Sequence, residues 1–521
     1  MDTPAPVPEP KTETASQEGA ARGPSPHTKS GHRRLVVLGL MVGMLLGALD
    51  NTIVVTALPK IVEELRDTSR LAFIVSAYLI AQTIAMPIFG KLSDHYGRRF
   101  FFLLGLVVFT LGSILAGLAQ NTSELIAFRA IQGVGSGAFF PVANSIIGVL
   151  FEPKERARLT GVFAATFGIS SVLGPLAGSW IVDVTTWRWI FYINLPLGVA
   201  SYILIVSSLG PLRNGGGGRF DIPGAALLAG WVASFMLALE ETAAPTGWKW
   251  TDPITYGVLG LGAVLLAAFV WWESRAEEPV LPLKFFKIRV MTATNLVSFL
   301  RGFVMITAIT YVSVFVYFAL RENTDAVRNT LYGLLIPMVI GAGMGGGLLP
   351  RLGYRPIMTM GMVFMAIGTA LLTTVNASTP SFTGLTNGTP AGLFLFLMPV
   401  GFGIGMTFAP ATIVVQNAVP KKDIGISTSL VQFMMNIGGA FGVSLLSTYQ
   451  QNRYATLGPP PIVGPPSPAY LAAAQAAAVT SIHELFVILA LVAVIAILPA
   501  LFVTGKLVPH PADEAPAMVA G

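Results

Sequence analysis

From Leu35 to Thr504 the chain alternates long apolar runs with short polar ones, and the runs have the length of helices that cross a lipid bilayer. A bilayer core about 30 Å thick takes about 20 apolar residues per helix. Such runs lie near 35–58, 72–91, 100–119, 125–149, 159–182 and 188–210, then 222–240 and 253–272, then 292–320, 326–349, 357–375, 391–417, 424–448 and 482–504. The pattern predicts an all-α membrane protein of fourteen transmembrane helices grouped six, two and six. Its parts are a tail (1–34), a six-helix bundle (35–210), a linker with two extra helices (211–290), a second six-helix bundle (291–505) and a tail (506–521). Residues 1–34 mix Pro, Ser, Thr, Glu and Lys without apolar periodicity, which predicts disorder. His32, Arg33 and Arg34 precede the first run as in a signal peptide, but the run is too long and lacks a small-residue cleavage pattern, so it is expected to stay. A glycine-rich joint, Gly215–Gly218, precedes the inserted pair.

Composition leaves little room for anything else. The 521 residues are 53% hydrophobic and 11% charged, with a mean hydropathy of +0.70. No cysteine is present, which removes disulfides, thiol catalysis and thiolate metal sites. His27, His32, His95, His483 and His510 form no ligand cluster in sequence, so no metal is expected. The net charge of +6 does not call for a nucleic acid, because Lys and Arg concentrate in alternate short loops, where membrane topology explains them. The same bias predicts that both termini are cytoplasmic, and the cell membrane is the expected location. The largest outside loop is then 449–481, with a short surface helix expected at Leu471–Ala478. No G-x-x-x-x-G-K-[ST] loop is present, and no nucleophile lies beside a base, so neither P-loop ATP use nor an enzyme is expected.

Two related halves would leave an internal echo. Gly90, Asp94, Gly97 and Arg99 recur in spacing as Gly346, Pro350, Gly353 and Arg355, each set ending the second helix of its half. Such duplication is a common design of secondary transporters, with the substrate site between the halves.

Several motifs stand in order along the first half: Leu49-Asp50-Asn51-Thr52 through Leu58-Pro59, Gly90-Lys91-Leu92-Ser93-Asp94-His95-Tyr96-Gly97-Arg98-Arg99, and Arg129-Ala130-Ile131-Gln132-Gly133. Gly168 with Gly174-Pro175-Leu176-Ala177-Gly178 follows, then Trp187-Arg188-Trp189-Ile190-Phe191 through Asn194-Leu195-Pro196-Leu197-Gly198. Together they resemble the major facilitator superfamily, in particular its fourteen-helix drug:proton antiporter group. The resemblance implies the major facilitator fold and a cytoplasmic gate at Gly90, Asp94, Gly97, Arg98 and Arg99. It also implies an antiporter motif at Gly168, Gly174, Pro175 and Gly178. The second half matches more loosely, through Gly401–Gly405, Gln416 and Asn436–Gly439; Pro350 stands where an acid is common and Met435 where a basic residue is common.

Asp50 is the one acid well inside an apolar run, which makes it the natural proton carrier. It lies about 22 Å from Leu35 along a helix, and Arg129 about 6 Å from Leu125, so the two charges share a layer. Burial disfavours the carboxylate and a neighbouring guanidinium favours it, so their separation tunes proton affinity. A static ion pair bracing two helices is the alternative. Arg301 falls near the middle of its run and needs a partner: Asp50, a carbonyl, water or an anionic group on the substrate. Tyr78, Gln82, Asn144, Arg301, Phe303, Tyr311, Phe315, Gln432, Phe433 and Asn436 suit the wall of a broad amphipathic site. The expected function is export of hydrophobic or amphipathic small molecules in exchange for protons, by a monomer in contact with lipid and without a bound cofactor. A proton-coupled lipid or glycolipid exporter, an uptake permease or facilitator, and a transporter-like sensor are the alternatives.

Overall fold

Apolar periodicity becomes helix along nearly all of the described chain. The structure is a computed structural model that describes residues 30–65, 71–210, 220–243, 247–322, 324–375, 391–459 and 467–504; the Gly215–Gly218 joint, the tail 506–521 and most of the tail 1–34 lie outside these residues. The helices are α1 (Ser30–Leu65), α2 (Leu71–Tyr96), α3 (Arg98–Leu118), α4 (Thr122–Ser136), α5 (Phe139–Leu150) and α6 (Pro153–Val184). There follow α7 (Trp189–Tyr192), α8 (Asn194–Ser208), α9 (Ile222–Ala243), α10 (Pro253–Glu273), α11 (Arg289–Val314) and α12 (Thr324–Leu352). The last are α13 (Tyr354–Leu372), α14 (Ala391–Asn417), α15 (Ile424–Leu457), α16 (Pro468–Ile495) and α17 (Ile497–Ala500).

Helix starts follow from local chemistry. Pro153 and Pro253 open α6 and α10 at positions where no backbone N–H is needed. Asn121 caps α4, its side chain accepting from Glu124 N at 2.9 Å, and Ser467 caps α16, accepting from Tyr470 N at 3.2 Å. Thirteen segments among the described residues are long and apolar enough to span a membrane, with α4–α5, α7–α8 and α16–α17 each forming one segment. The 32 residues of α6 extend about 48 Å, which is the length of a further span.

Helices α1–α8 and α11–α17 form two bundles. They meet along α6 and α12 on one side and along α2 and α15 on the other. The pair α9–α10 packs on itself and, through α9, against α2 and α15. There Leu228, Val232 and Met236 bury against Leu430, Phe433 and Ile437. α10 exposes Ile254, Tyr256, Leu261, Val264, Val270 and Trp271, an apolar face suited to lipid. The echo between the halves has a backbone counterpart: the two positive-φ glycines among the described residues are Gly97 (φ 119°) and Gly353 (φ 79°). Each turns the chain between the second and third long helices of its half, in a conformation that side chains with a Cβ rarely adopt.

Three boundaries differ from the sequence expectation. α1 starts at Ser30, inside the predicted tail, where the Arg33 guanidinium lies 5.8 Å from the Phe151 ring centre. The large outside loop is mostly helix, because α15 continues to Leu457 and α16 begins at Pro468, absorbing the surface helix expected at Leu471–Ala478. Alanine-rich sequence favours that helix intrinsically. Gln475 Nε2 also donates to Ala319 O at 2.6 Å, and Arg453 pairs with Glu484 at 2.8 Å. Finally, the run 125–149 is two helices separated at Gly137–Ala138.

Candidate functional site

The first site is built around Asp50, which is fully buried on α1. Its Oδ2 accepts from Arg129 of α4 at 2.5 Å. Its Oδ1 accepts from Gln132 Nε2 at 2.8 Å and from Asn194 Nδ2 at 3.1 Å. Ser113 of α3 closes the network, accepting from Gln132 at 3.1 Å and Asn194 at 2.9 Å and donating to Phe191 O at 2.9 Å. Arg129 also donates to Gln132 Oε1 at 2.7 Å and Ile74 O at 3.2 Å. The Tyr78 ring lies 4.2 Å from its guanidinium. A buried charge is tolerated when both pairing and hydrogen bonds are supplied, and both are supplied here. Every member belongs to the first bundle.

The second site is a cavity of about 750 Å³ between the bundles, with Gly47, Ala48 and Thr52 of α1 in its wall. Asp50 is not in that wall; it points into the bundle behind it. Tyr78 OH donates to Ser136 Oγ at 2.6 Å, and Gln82 Nε2 donates to the same oxygen at 2.7 Å. Ser136 and Gln82 line the cavity, so one polar chain links the cavity surface to the ring beneath Arg129. Phe139, Phe140, Phe163 and Phe408, with Met44, Met86, Met305 and Met435, supply about half of the apolar wall, and aliphatic residues such as Leu79, Ile306 and Leu335 the rest.

Of the residues expected in that wall, Gln82, Gln432 and Asn436 line it and the others do not. Gln432 donates to Asn436 at 3.3 Å, and Asn436 to Thr83 of the opposite bundle at 3.2 Å. Tyr78 is fully buried under Arg129. Asn144 is buried at the closed end, where its carbonyl accepts from Gln416 at 3.2 Å. Phe303, Tyr311 and Phe315 face their own bundle, Phe315 against Phe486 with ring centres 5.8 Å apart, and Phe433 packs edge-on to Trp231 of α9. Arg301 sits just behind the wall. It donates to Thr407 Oγ1 at 3.1 Å and to Met435 S at 3.4 Å, and lies 4.3 Å from the Phe408 ring centre. Met435, where the resemblance led one to expect a basic residue, is thus the neighbour of a cation from α11.

The third site closes the cavity at one end. Asp94 Oδ1 accepts from Arg98 at 2.7 Å, while its Oδ2 accepts from Ile426 N of α15 at 3.0 Å. Arg98 reaches across as well, donating to Lys421 O at 2.7 Å, and it holds Ser145 at 2.5 Å. Gly90 permits the contact: a Cβ there would meet Ser429 Oγ at 2.7 Å and Gly425 O at 2.9 Å. Arg99 takes no part in this crossing; it donates to Val206 O at 3.0 Å and ties α3 to α8 within one bundle. A further tie between bundles, Arg156 to Asn417 at 3.2 Å, was not anticipated.

In α6, Gly174 lies against Thr52, which a Cβ would overlap, and Gly178 is buried. Gly168 and Pro175 are helical, and their surroundings lie outside the described residues. Sequence reasoning also missed Ser113, Gln132 and Asn194 as partners of Asp50. Gln132 and Asn194 sit inside motifs it had singled out, and that position was the available signal.

Residues 40–443 match the family model described as Major Facilitator Superfamily. The chain is 37% identical over 432 residues to Multidrug transporter protein MdtP of Bacillus subtilis (strain 168), covering 82% of this chain and 77% of that protein. It is 35% identical over 426 residues to Multidrug resistance protein 3 of the same strain, covering 82% and 81%. In fold it is similar to the proton:xylose symporter XylE, with a TM-score of 0.60 at 15% identity over 90% of this chain and 95% of that one.

Proposed function

The chain belongs to the major facilitator superfamily and is a multi-pass membrane transporter, and on that premise we propose that it exports hydrophobic or amphipathic small molecules in exchange for protons. One observation carries the reading: a fully buried carboxylate, Asp50, is held by one cation and two amides directly behind the wall of an amphipathic cavity. Protonating Asp50 weakens its hold on Arg129, and that shifts the balance between two arrangements of the bundles. The proton gradient supplies the energy, and no bound cofactor is needed. The polyspecific names of the Bacillus subtilis relatives support a broad substrate range.

Lys91, Arg98, Arg99, Lys421 and Lys422 gather at the closed end. The positive-inside rule therefore supports a cytoplasmic latch, both termini in the cytoplasm and a cavity open to the outside, in the cell membrane. The monomer contains both halves of the cavity.

The test is proton release driven by substrate in proteoliposomes. With Asp50→Asn, substrate still binds but an imposed pH gradient no longer drives uphill movement. Unchanged coupling in that variant would remove Asp50 from the proton path, and flux that ignores the gradient in the unaltered protein would make it a facilitator.

A further inference from the structure

Among the described residues no carboxylate lines the cavity between the bundles, and its one charged wall residue is Arg328. Nearby charges largely cancel in pairs. Asp50 is matched by Arg129 at 2.5 Å, and Arg328, at the open end, by the exposed Asp325 at 2.9 Å. Arg301 is the exception. It is fully buried, its partners are a hydroxyl, a thioether and an aromatic face, and its Nε has no acceptor. Two of those partners, Phe408 and Met435, are themselves cavity wall. A desolvated cation without a counter-ion is unfavourable unless something anionic joins it.

We infer that the cavity selects amphipathic organic anions, with an apolar body against its Phe and Met wall and one anionic group drawn to the Arg301 layer. The inference rests on the cavity being the substrate site. Lipophilic cations meet no acid in the wall and are repelled by the same charge. Attraction through one side-chain layer of low-dielectric wall gives about a tenfold preference for the anion. Met435 is unbranched and flexible, so its rotation opens direct access to the guanidinium. Arg301 is thus a specificity determinant that acts through Phe408 and Met435.

The test uses three probes with one apolar body: pyrenebutyrate, pyrenebutyramide and pyrenebutyl-trimethylammonium. Their Kd values are read by fluorescence titration on purified protein in an uncharged detergent, without any gradient. The expected order is carboxylate, amide, ammonium, with about tenfold between the first and last. Arg301→Gln brings that ratio to about one while the amide stays within about twofold; Arg301→Lys keeps part of it. Met435→Glu supplies the missing counter-ion beside Arg301 and removes the preference without deleting the cation. Equal loss for all three probes in these variants means a structural role only and overturns the inference. So does an ammonium that binds as tightly as the carboxylate, or no binding by any probe. If none of the three variants folds, the ratio in the unaltered protein decides. A retained carboxylate preference without gradient-driven flux overturns proton exchange instead, which keeps the two failures apart.

Discussion

Asp50 has three donors, and the partners differ in what their removal does. Arg129→Gln leaves a buried carboxylate without its cation, which is expected to destabilise the protein by about 3–5 kcal/mol. Asn194→Ala removes one neutral donor to that charge, with an expected loss of about 2 kcal/mol. Unfolding in mixed micelles measures both. Adding Asp50→Asn to Arg129→Gln should restore part of the loss; strictly additive losses would mean that the pair is not coupled. Asp50 and Arg129 were legible in the sequence because a charge inside an apolar run has few explanations. Ser113, Gln132 and Asn194 were not, because neutral polar residues in such runs are common. The wall was legible in kind but not in membership. Depth along a helix follows from counting residues, but the direction a side chain faces does not when the helix is buried nearly all round. On α11, Met305, Ile306 and Ile309 face the cavity, while Phe303 and Tyr311 at similar depths turn inward.

At the scale of elements, the latch joins the α2–α3 corner to the start of α15 and the residues just before it, through the Asp94 carboxylate and the Arg98 guanidinium. Asp94→Asn keeps the shape of that side chain and weakens the tie, so the closed end should open more often. The chain has no cysteine of its own, which makes Ser429→Cys a clean reporter in the seam. Its labelling by a membrane-impermeant maleimide from the latch side should rise about tenfold when Asp94 is neutralised. An unchanged rate would take Asp94 out of the latch and leave the motif as a topology signal from Lys91, Arg98 and Arg99. The latch was legible as a motif, yet its partners at and just before the start of α15 are backbone groups of Ile426 and Lys421, which leave no trace in side-chain identity. Helix ends were less legible where tertiary contacts lengthen them, as at Arg453 and Glu484.

For the whole molecule, the six-two-six grouping was readable from run lengths, whereas which end of the cavity stands open was not, because both arrangements use the same helices. With the latch closed, Ser313→Cys in the cavity wall should label rapidly from the open side and slow when a transported compound saturates the site. Ser429→Cys should resist labelling throughout; the opposite pattern would reverse the assigned state. α15 ties these observations together. It is one helix of 34 residues, about 51 Å long. It is pinned near one end to Asp94, it carries Gln432, Met435 and Asn436 about a third of the way along, and it is clamped through Arg453 near the other end. A rod held this way behaves as a lever with its fulcrum at the cargo. A tilt of about 10° about Met435 moves Ile426 about 2 Å and Arg453 about 5 Å in opposite directions, enough to part the 3.0 Å contact between Ile426 and Asp94. A rigid rod that pivots there closes one end as it opens the other, which opposes a passage open at both ends.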